Sequence, residues 1–278
     1  MLARAQQTPA CAAPTGRSVQ RCESTIRFTF QNVRSLIHHT TDGSNAKQDE
    51  LFAHMHTYKI NIALLAETWR LGSEDLKAGL QGEFLMKHRG LSTQTCDRGQ
   101  IGVAIVLDTD VQHVFEQADS WKKAYGNRIL AARLRTKDAK GKPLRLFVVV
   151  GYAPTLQHTQ EEREEFQQNF DDCMTEIGKD EIPVIGLDAN AQLVTTANGT
   201  AGRLGEGGRK EGVLGRWGLK KRTSYGQDFL DICSSHLLCT PLTWFQHKNY
   251  QTWKTAGKWQ KCNLVSGMAS VASDMGWL

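Results

Sequence analysis

Four apolar runs in this chain each end on a short group of polar residues, and this repeated pattern restricts the possible folds more than any other feature. The runs cover residues 26–30, 60–66, 144–150 and 182–187. The polar residues that follow them include Asn32, Glu67, Tyr152, Asp188 and Asn190. A strand buried in a sheet exposes only its ends to water, so polar side chains just past its last apolar residue often line a cleft. The pattern therefore predicts one site that several strand ends build together.

The spacing of apolar residues predicts a mixture of strands and helices. Alternating or unbroken apolar runs are typical of strands, and they occur at residues 26–30, 60–65, 101–107, 128–134, 144–150 and 182–188. Apolar residues at helical spacing occur at residues 47–58, 160–177 and 226–238. In the second helix, Phe166, Phe170 and Met174 form an apolar stripe, and acidic residues occupy most of the remaining surface. We interpret those acids as a solvated outer face rather than a cation site.

The composition indicates an intracellular globular protein. Of the 278 residues, 40% are hydrophobic, which is enough to bury one large core. The seven cysteines are scattered without a CxxC pair, which is typical of reduced thiols. No apolar stretch approaches the roughly 20 residues that cross a bilayer. Residues 1–25 lack an apolar segment of signal-peptide length, so we predict a disordered N-terminal tail, with a targeting role as the alternative. We expect the protein not to be secreted and to have no membrane partner, with the nucleus as one candidate compartment.

Positive charge is concentrated in the last third of the chain. The net charge is +5, and from residue 200 onward there are 11 Lys and Arg against 5 Asp and Glu. Five tryptophans lie within that stretch, and four of them, at positions 217, 244, 253 and 259, are interleaved with the basic residues. Basic side chains neutralise phosphates and aromatic rings stack on bases, so this combination favours DNA or another nucleic acid as partner. A solvated basic face with tryptophans in the core is the alternative explanation.

The residues that follow the predicted strands also form an ordered set of motifs. They read Gln-Asn-Val-Arg-Ser-Leu at 31–36, Leu-Ala-Glu-Thr-Trp at 65–69, Gly-Tyr-Ala-Pro at 151–154 and Gly-Leu-Asp-Ala-Asn-Ala at 186–191. This set resembles the endonuclease/exonuclease/phosphatase superfamily, and within it the apurinic-endonuclease-like domains of LINE-type retrotransposons and their craniofacial-development-protein-like relatives. The resemblance covers residues 26–260. It implies an α+β fold, a four-layer α/β-sandwich of two packed mixed β-sheets flanked by helices.

Phosphodiester hydrolysis requires groups that this chain places at its strand ends. Mg²⁺ binds through one or two carboxylates, and it neutralises the phosphate and the leaving oxygen. Glu67 is the predicted ligand for Mg²⁺, with Mn²⁺ as the alternative ion, and Asp188 is predicted to be a second ligand or the base that activates water. Asn190 and Asn32 can donate to the phosphate, and Asn32 can also orient Glu67. Tyr152 offers a hydroxyl to the phosphate or its leaving oxygen. The resemblance implies the same roles.

Each of these residues also has an ordinary structural explanation. Asp188 can close a strand through an Asx turn, Asn32 can be a turn residue, and Tyr152 can be a core ring with its hydroxyl at the surface. Two histidine pairs, at 38–39 and at 54 and 56, suggest a metal site, but neither has a further ligand at metal-like spacing. We interpret both pairs as surface residues.

The chain departs from the family near its C-terminus. Family members continue into an Ile-Asp-Tyr strand and a Ser-Asp-His motif that supplies catalytic groups. Here Asp274 is the one carboxylate after Asp231, and no histidine follows His247. We therefore predict a domain at 26–260 that is truncated and incomplete at its C-terminal end, followed by an unrelated tail at 261–278.

These observations support two functions of different kinds. The first is a Mg²⁺-dependent endonuclease acting on DNA, of retroelement descent and with impaired activity. The second is a catalytically inactive remnant or a nucleic-acid-binding module. Within the first class, a phosphoesterase on inositol phosphates or sphingolipids is a further alternative, because the shared motifs read the phosphate and not the rest of the substrate.

Overall fold

The structure, a computed structural model, describes thirteen strands and three helices. Described are residues 26–36, 46–79, 82–91, 101–109, 111, 122–137, 142–191, 213–214, 224–240, 243, 253–255, 258–260 and 265–270. The helices are α1 (Ala46–Tyr58), α2 (Gln160–Thr175) and α3 (Ser224–Ser235). The strands are β1 (Phe28–Asn32), β2 (Ile62–Ala66), β3 (Asp75–Ala78), β4 (Phe84–Arg89), β5 (Val103–Asp108), β6 (Lys122–Tyr125), β7 (Ile129–Lys137), β8 (Pro143–Tyr152), β9 (Glu181–Asp188), β10 (Leu238–Cys239), β11 (Trp253–Thr255), β12 (Lys258–Gln260) and β13 (Val265–Ser270). The predicted tail at 1–25 lies outside the described residues.

Two mixed sheets contain most of the strands. The first has the order β1-β2-β5-β4-β3, and the second has the order β10-β13-β9-β8-β7-β6. Each sheet includes one parallel pair, β1 with β2 and β8 with β9, and its other pairs are antiparallel. Strands β11 and β12 form a separate antiparallel pair.

Three apolar clusters show that the elements stack in four layers. One cluster packs α1 against the first sheet, through residues such as Phe52, Met55 and Leu65. A second lies between the two sheets, with Leu64 on one side and Val148 on the other. The third packs the second sheet against α2 and α3, through residues that include Phe147, Phe170 and Phe229. The predicted α+β fold of two packed mixed sheets with flanking helices is confirmed.

The two sheets approach each other closely at Gly186 on β9. A Cβ atom at this position would lie 2.5 Å from Phe30 Cδ2 and 2.9 Å from Leu64 Cβ, both in the first sheet. Ordinary Cβ contacts are longer, so glycine is what lets β9 sit directly against β1 and β2. The same packing brings the C-terminal ends of these strands together.

Strand β13 falls within the segment that the sequence predicted as an unrelated tail. It pairs antiparallel with β9, through Val265 with Leu187 and Ala269 with Val184, and it also pairs with β10. In the described part of the second sheet, a strand from the predicted tail therefore covers the edge of β9. The domain boundary at 260 stays a prediction.

The three described helices are all too short or too polar to span a lipid bilayer.

Candidate active site

Asn32, the last residue of β1, links carboxylates from the two sheets. Its Nδ2 atom donates to Glu67 Oε1 at 2.6 Å and to Asp188 Oδ2 at 2.7 Å. Its own Oδ1 accepts from the backbone N–H of Arg34 at 3.1 Å, which fixes the orientation of the amide. Glu67 directly follows β2 in the first sheet, whereas Asp188 ends β9 in the second. One amide nitrogen thus holds together two acids that are 121 positions apart in the sequence.

Parallel pairing explains why these residues meet. Asn32 is in register with Ala66 on β2, and Tyr152 is in register with Asp188 on β9. Parallel strands present their C-terminal ends at the same edge of a sheet. Helix α1 forms the crossover between β1 and β2, and α2 forms the crossover between β8 and β9. The structure therefore brings the predicted site residues together at one edge of the sandwich.

Asp188 is a buried carboxylate, with 6% of the residue exposed. Its Oδ1 accepts from the backbone N–H of Asn190 at 3.1 Å. Burial raises the pKa of Asp188 above its usual value, and the nearby charge of Glu67 acts in the same direction, whereas the hydrogen bond from Asn32 opposes both. A cation at this point would stabilise the ionised form.

Tyr152 and Asn190 complete the set. Burial raises the pKa of the Tyr152 phenol strongly, and the charges of Glu67 and Asp188 add to the effect, so this hydroxyl is a proton donor throughout the neutral range. The side-chain amide of Asn190 donates to the Ala153 carbonyl at 2.7 Å. The phenol and this amide therefore lie beside the two carboxylates.

Unusual backbone conformations surround the site. Seven non-glycine residues in the described part of the chain have positive φ. Five of them border the site, namely Arg34, Ser35, Glu67, Trp69 and Asn190. The φ of Glu67 is 56° and that of Asn190 is 46°. Such conformations cost about 1–3 kcal/mol each and cluster at functional sites.

Hydrogen bonds from two neighbouring segments hold the Glu67 loop in this conformation. The Ser35 N–H donates to the Glu67 carbonyl at 2.7 Å, and the Thr68 N–H donates to the Gly102 carbonyl at 3.0 Å. Gly102 has a φ of +136°, and a Cβ atom there would lie 2.5 Å from Thr68 Oγ1. Hydrogen bonds to Ser35 and to Gly102 therefore fix the backbone of residues 67 and 68, next to the Glu67 carboxylate.

The oxygen-rich donor set fits a hard divalent cation. Glu67 and Asp188 provide two carboxylates within reach of one nitrogen, and Mg²⁺ typically binds through one or two carboxylates and retains several waters. No group of three or more His, Cys, Asp or Glu that could hold a metal ion occurs among the described residues. His54 and His56 lie exposed on α1, and positions 38 and 39 fall outside the described residues.

Sequence reasoning missed two residues next to this site. The Arg128 guanidinium lies 5.5 Å from the centre of the Tyr152 ring, and its Nη2 is 3.0 Å from His158 Nε2. Arg128 stands at the start of a predicted strand and His158 just before a predicted helix, and neither belongs to a recognised motif. Strands β7 and β8 pair antiparallel, with Ile129 opposite Gly151. Arg128 precedes Ile129 and Tyr152 follows Gly151, so this pairing brings Arg128 next to Tyr152.

Comparison with solved structures supports this fold. An AP endonuclease from Archaeoglobus fulgidus matches with a TM-score of 0.53 and 11% sequence identity, over 88% of this chain and 87% of that one. The chain shares its fold with that structure. The catalytic domain of APE2 from Xenopus laevis matches with a TM-score of 0.49 and 12% identity, over 87% of this chain and 81% of that one. An endonuclease/exonuclease/phosphatase family protein from Bacteroides thetaiotaomicron matches with a TM-score of 0.49 and 11% identity, over 89% of this chain and 83% of that one.

Comparison by sequence gives no match, either to a family model or to a curated protein. The structural match at a TM-score of 0.53 shows a shared fold, and the superfamily assignment stays a prediction. The LINE-type and craniofacial-development-protein-like assignment stays a prediction, as do the roles of the individual site residues.

Proposed function

We propose that this chain is a phosphodiesterase that depends on a divalent cation, Mg²⁺ or Mn²⁺, and cleaves the backbone of DNA. The observation that carries the proposal is the pair of carboxylates, one from each sheet, held by the single amide of Asn32. A purely structural amide would gain little from being placed between two acids, because their mutual repulsion opposes the arrangement. A site built to bind a cation accounts for it.

Each site residue has a separate role in the proposed reaction. Glu67 and Asp188 would hold the cation, which supplies charge neutralisation at the phosphate and at the leaving oxygen. Asp188 would also accept a proton from the attacking water. The Asn190 and Asn32 amides orient the phosphate and the carboxylates, and the protonated Tyr152 hydroxyl donates to a phosphate oxygen.

Two observations support nucleic acid as the substrate class. The last third of the chain carries the excess of basic residues together with five tryptophans. The structure with a TM-score of 0.53 is described as an AP endonuclease. We include descent from a LINE-type retroelement and an intracellular, nuclear location in the proposal.

A second candidate is a catalytically inactive module that binds nucleic acid. It is favoured by the excess of basic residues in the last third of the chain, because basic side chains bind phosphates without any catalytic group.

A plasmid-nicking assay tests the proposal. We expect the wild-type chain to convert supercoiled DNA to the nicked form with Mg²⁺ and to stop when EDTA removes the metal. Glu67→Ala should nick no faster than the EDTA sample, because a carboxylate ligand is lost. Glu165→Ala, which removes an exposed acid on α2, serves as the matched control and should retain the wild-type rate. Equal rates for the wild type and Glu67→Ala would refute catalysis at this site and leave the binding module.

A further inference from the structure

Lys47 lies in the first turn of α1, where the helix dipole disfavours it. Helix α1 begins at Ala46, and a positive charge in the first turn faces the positive end of the dipole. The residue is half-buried, and its Nζ donates to the Arg34 carbonyl at 2.8 Å. Arg34 belongs to the segment that follows β1. A lysine in a locally unfavourable position therefore contacts the backbone next to the candidate active site.

The contacted carbonyl belongs to a peptide unit that also reaches Glu67. The peptide bond between Arg34 and Ser35 carries the Arg34 carbonyl at one end and the Ser35 N–H at the other. The carbonyl accepts from Lys47, and the N–H donates to the Glu67 carbonyl at 2.7 Å. Because a peptide unit is planar and rigid, a contact that fixes one end also fixes the other. A single rigid unit thus connects Lys47 to the backbone of Glu67.

The same peptide unit is held in a strained orientation. The φ of Ser35 is +76°, in the left-handed region that serine rarely adopts. A flip of the peptide unit changes the φ of the residue after it, so it would return Ser35 to the negative, unstrained range. The flipped unit would point the Arg34 carbonyl at the Glu67 carbonyl, and the hydrogen bond to Glu67 would be lost. The bond from Lys47 opposes this flip.

The position of the site residues depends on this segment. The Arg34 N–H donates to Asn32 Oδ1 at 3.1 Å, so it orients the amide that contacts both carboxylates. Glu67 itself has a positive φ of 56°. We infer that Lys47 is a positioning residue for the candidate active site, which holds the 34–35 peptide and thereby keeps Glu67 in the conformation that binds the cation. The inference rests on the proposed function, because it takes Glu67 as a ligand of a divalent cation.

A direct effect of charge is the alternative role for Lys47. Partial burial lowers the pKa of Lys47 below its usual value, the charge of Arg34 acts in the same direction, and the charge of Glu67 opposes both. The ammonium is therefore close enough to the Glu67 carboxylate for the two charges to interact. This interaction requires no particular backbone conformation, so it predicts different results from a role in positioning.

Amide hydrogen exchange in EDTA tests the positioning role without metal or DNA. We expect the Ser35 N–H to exchange about tenfold faster in Lys47→Met, the value of a hydrogen bond to a charged group. Methionine is a good helix former, so α1 should remain folded, and Lys47→Ala is the second variant for the same loss. Lys47→Arg keeps the donor and should exchange as the wild type does. The Val33 N–H, which donates to the Ala66 carbonyl at 2.9 Å, is the internal reference.

Mn²⁺ affinity, measured by electron paramagnetic resonance without DNA, tests the consequence for Glu67. Loss of a group that supports a metal ligand weakens metal binding by about 10–100-fold, and we expect roughly the lower of these values for Lys47→Met. A direct charge effect has the opposite sign, because removal of a nearby ammonium would strengthen cation binding. The matched control is Lys77→Met, an exposed lysine on β3 at the other edge of the first sheet from β1. It should bind Mn²⁺ as the wild type does.

Ser35→Gly distinguishes the held peptide from other effects of the lysine. Glycine adopts a positive φ at little cost, so the peptide depends less on Lys47 to keep its orientation. We expect Lys47→Met to weaken Mn²⁺ binding less in the Ser35→Gly background than in the wild type, which a double-mutant cycle measures. An equal loss of affinity in both backgrounds would overturn the proposed coupling through the 34–35 peptide.

The two measurements separate this inference from the proposed function. Wild-type exchange of the Ser35 N–H in Lys47→Met, or Mn²⁺ binding that is unchanged or tighter, would overturn the role of Lys47 even in a chain that nicks DNA. A wild-type chain that binds no Mn²⁺ would refute the proposed function, and the exchange rates would still decide whether Lys47 holds the peptide.

Discussion

Replacing Asp188 by asparagine should slow DNA nicking by about 10²–10⁴, the usual loss when a general base is removed. The variant loses both the proton acceptor and one of the two carboxylates that face the cation. It keeps nearly the same shape, so the expected loss reports on charge rather than packing. Rates are measured by plasmid nicking at saturating Mg²⁺. Asp180→Asn, whose carboxylate is 85% exposed, is the matched control, and a rate for Asp188→Asn close to that of the control would contradict the assigned role.

The same variant should change how stability depends on pH. Burial raises the pKa of Asp188 in the folded state above the ordinary value of 3.8. Between these two pKa values the folded state binds more protons than the unfolded state, so this group lowers the free energy of unfolding as pH rises. In EDTA, the wild-type melting temperature should therefore fall more steeply with rising pH than that of Asp188→Asn.

Added Mg²⁺ should reverse the wild-type trend, since a ligand that binds the ionised folded state stabilises it. The gain in melting temperature should be larger at pH 8 than at pH 5 and smaller in Asp188→Asn. Parallel pH profiles for the two proteins in EDTA would show that Asp188 is not the group that titrates.

Gly186→Ala is expected to have the largest effect on stability. The new Cβ would meet Phe30 Cδ2 at 2.5 Å and Leu64 Cβ at 2.9 Å, and the second of these cannot move without its backbone. Overpacking of this kind typically costs about 1–3 kcal/mol. For a chain of this size, each kcal/mol lowers the melting temperature by about 2–4 °C.

Gly151→Ala on the neighbouring strand is the control for this change. Its nearest contact would be the flexible Leu187 Cδ1 at 2.8 Å, with the next atoms at 3.8 Å, so the side chain can turn away. We expect a smaller loss, measured by urea denaturation of both variants. The packing argument would be wrong if the two alanines cost the same, or if Phe30→Leu brought no recovery in the Gly186→Ala background.

The parts of the fold that the sequence predicted are those with strong local signals. The unbroken apolar runs predicted β2, β8 and β9, because a strand covered on both faces has no polar positions. The stripe of Phe166 and Phe170 likewise predicted α2. The site residues could be grouped before the structure was known, since Asn32, Glu67, Tyr152 and Asp188 all follow such runs.

The elements that the sequence did not reveal depend on distant partners. Lys87 is buried within β4 because Asp75 on β3 lies 2.5 Å away, and neither residue indicates a strand by itself. Strand β13 mixes small, polar and apolar residues, so its sequence has no alternation that predicts a strand. It is a strand because its backbone pairs with β9. The Arg128–His158 contact joins residues 30 positions apart and has no periodic signal.

The position of Asn32 between the two sheets has a further consequence. Glu67 belongs to one half of the sandwich and Asp188 to the other, so a slide of about 1 Å between the halves would break one of the two hydrogen bonds while every strand stayed intact. Catalysis should therefore fade at urea concentrations below those that change the far-ultraviolet circular dichroism. If the proposed function holds, activity would be lost before the secondary structure unfolds, and the temperature range of activity would depend on the packing between the two sheets.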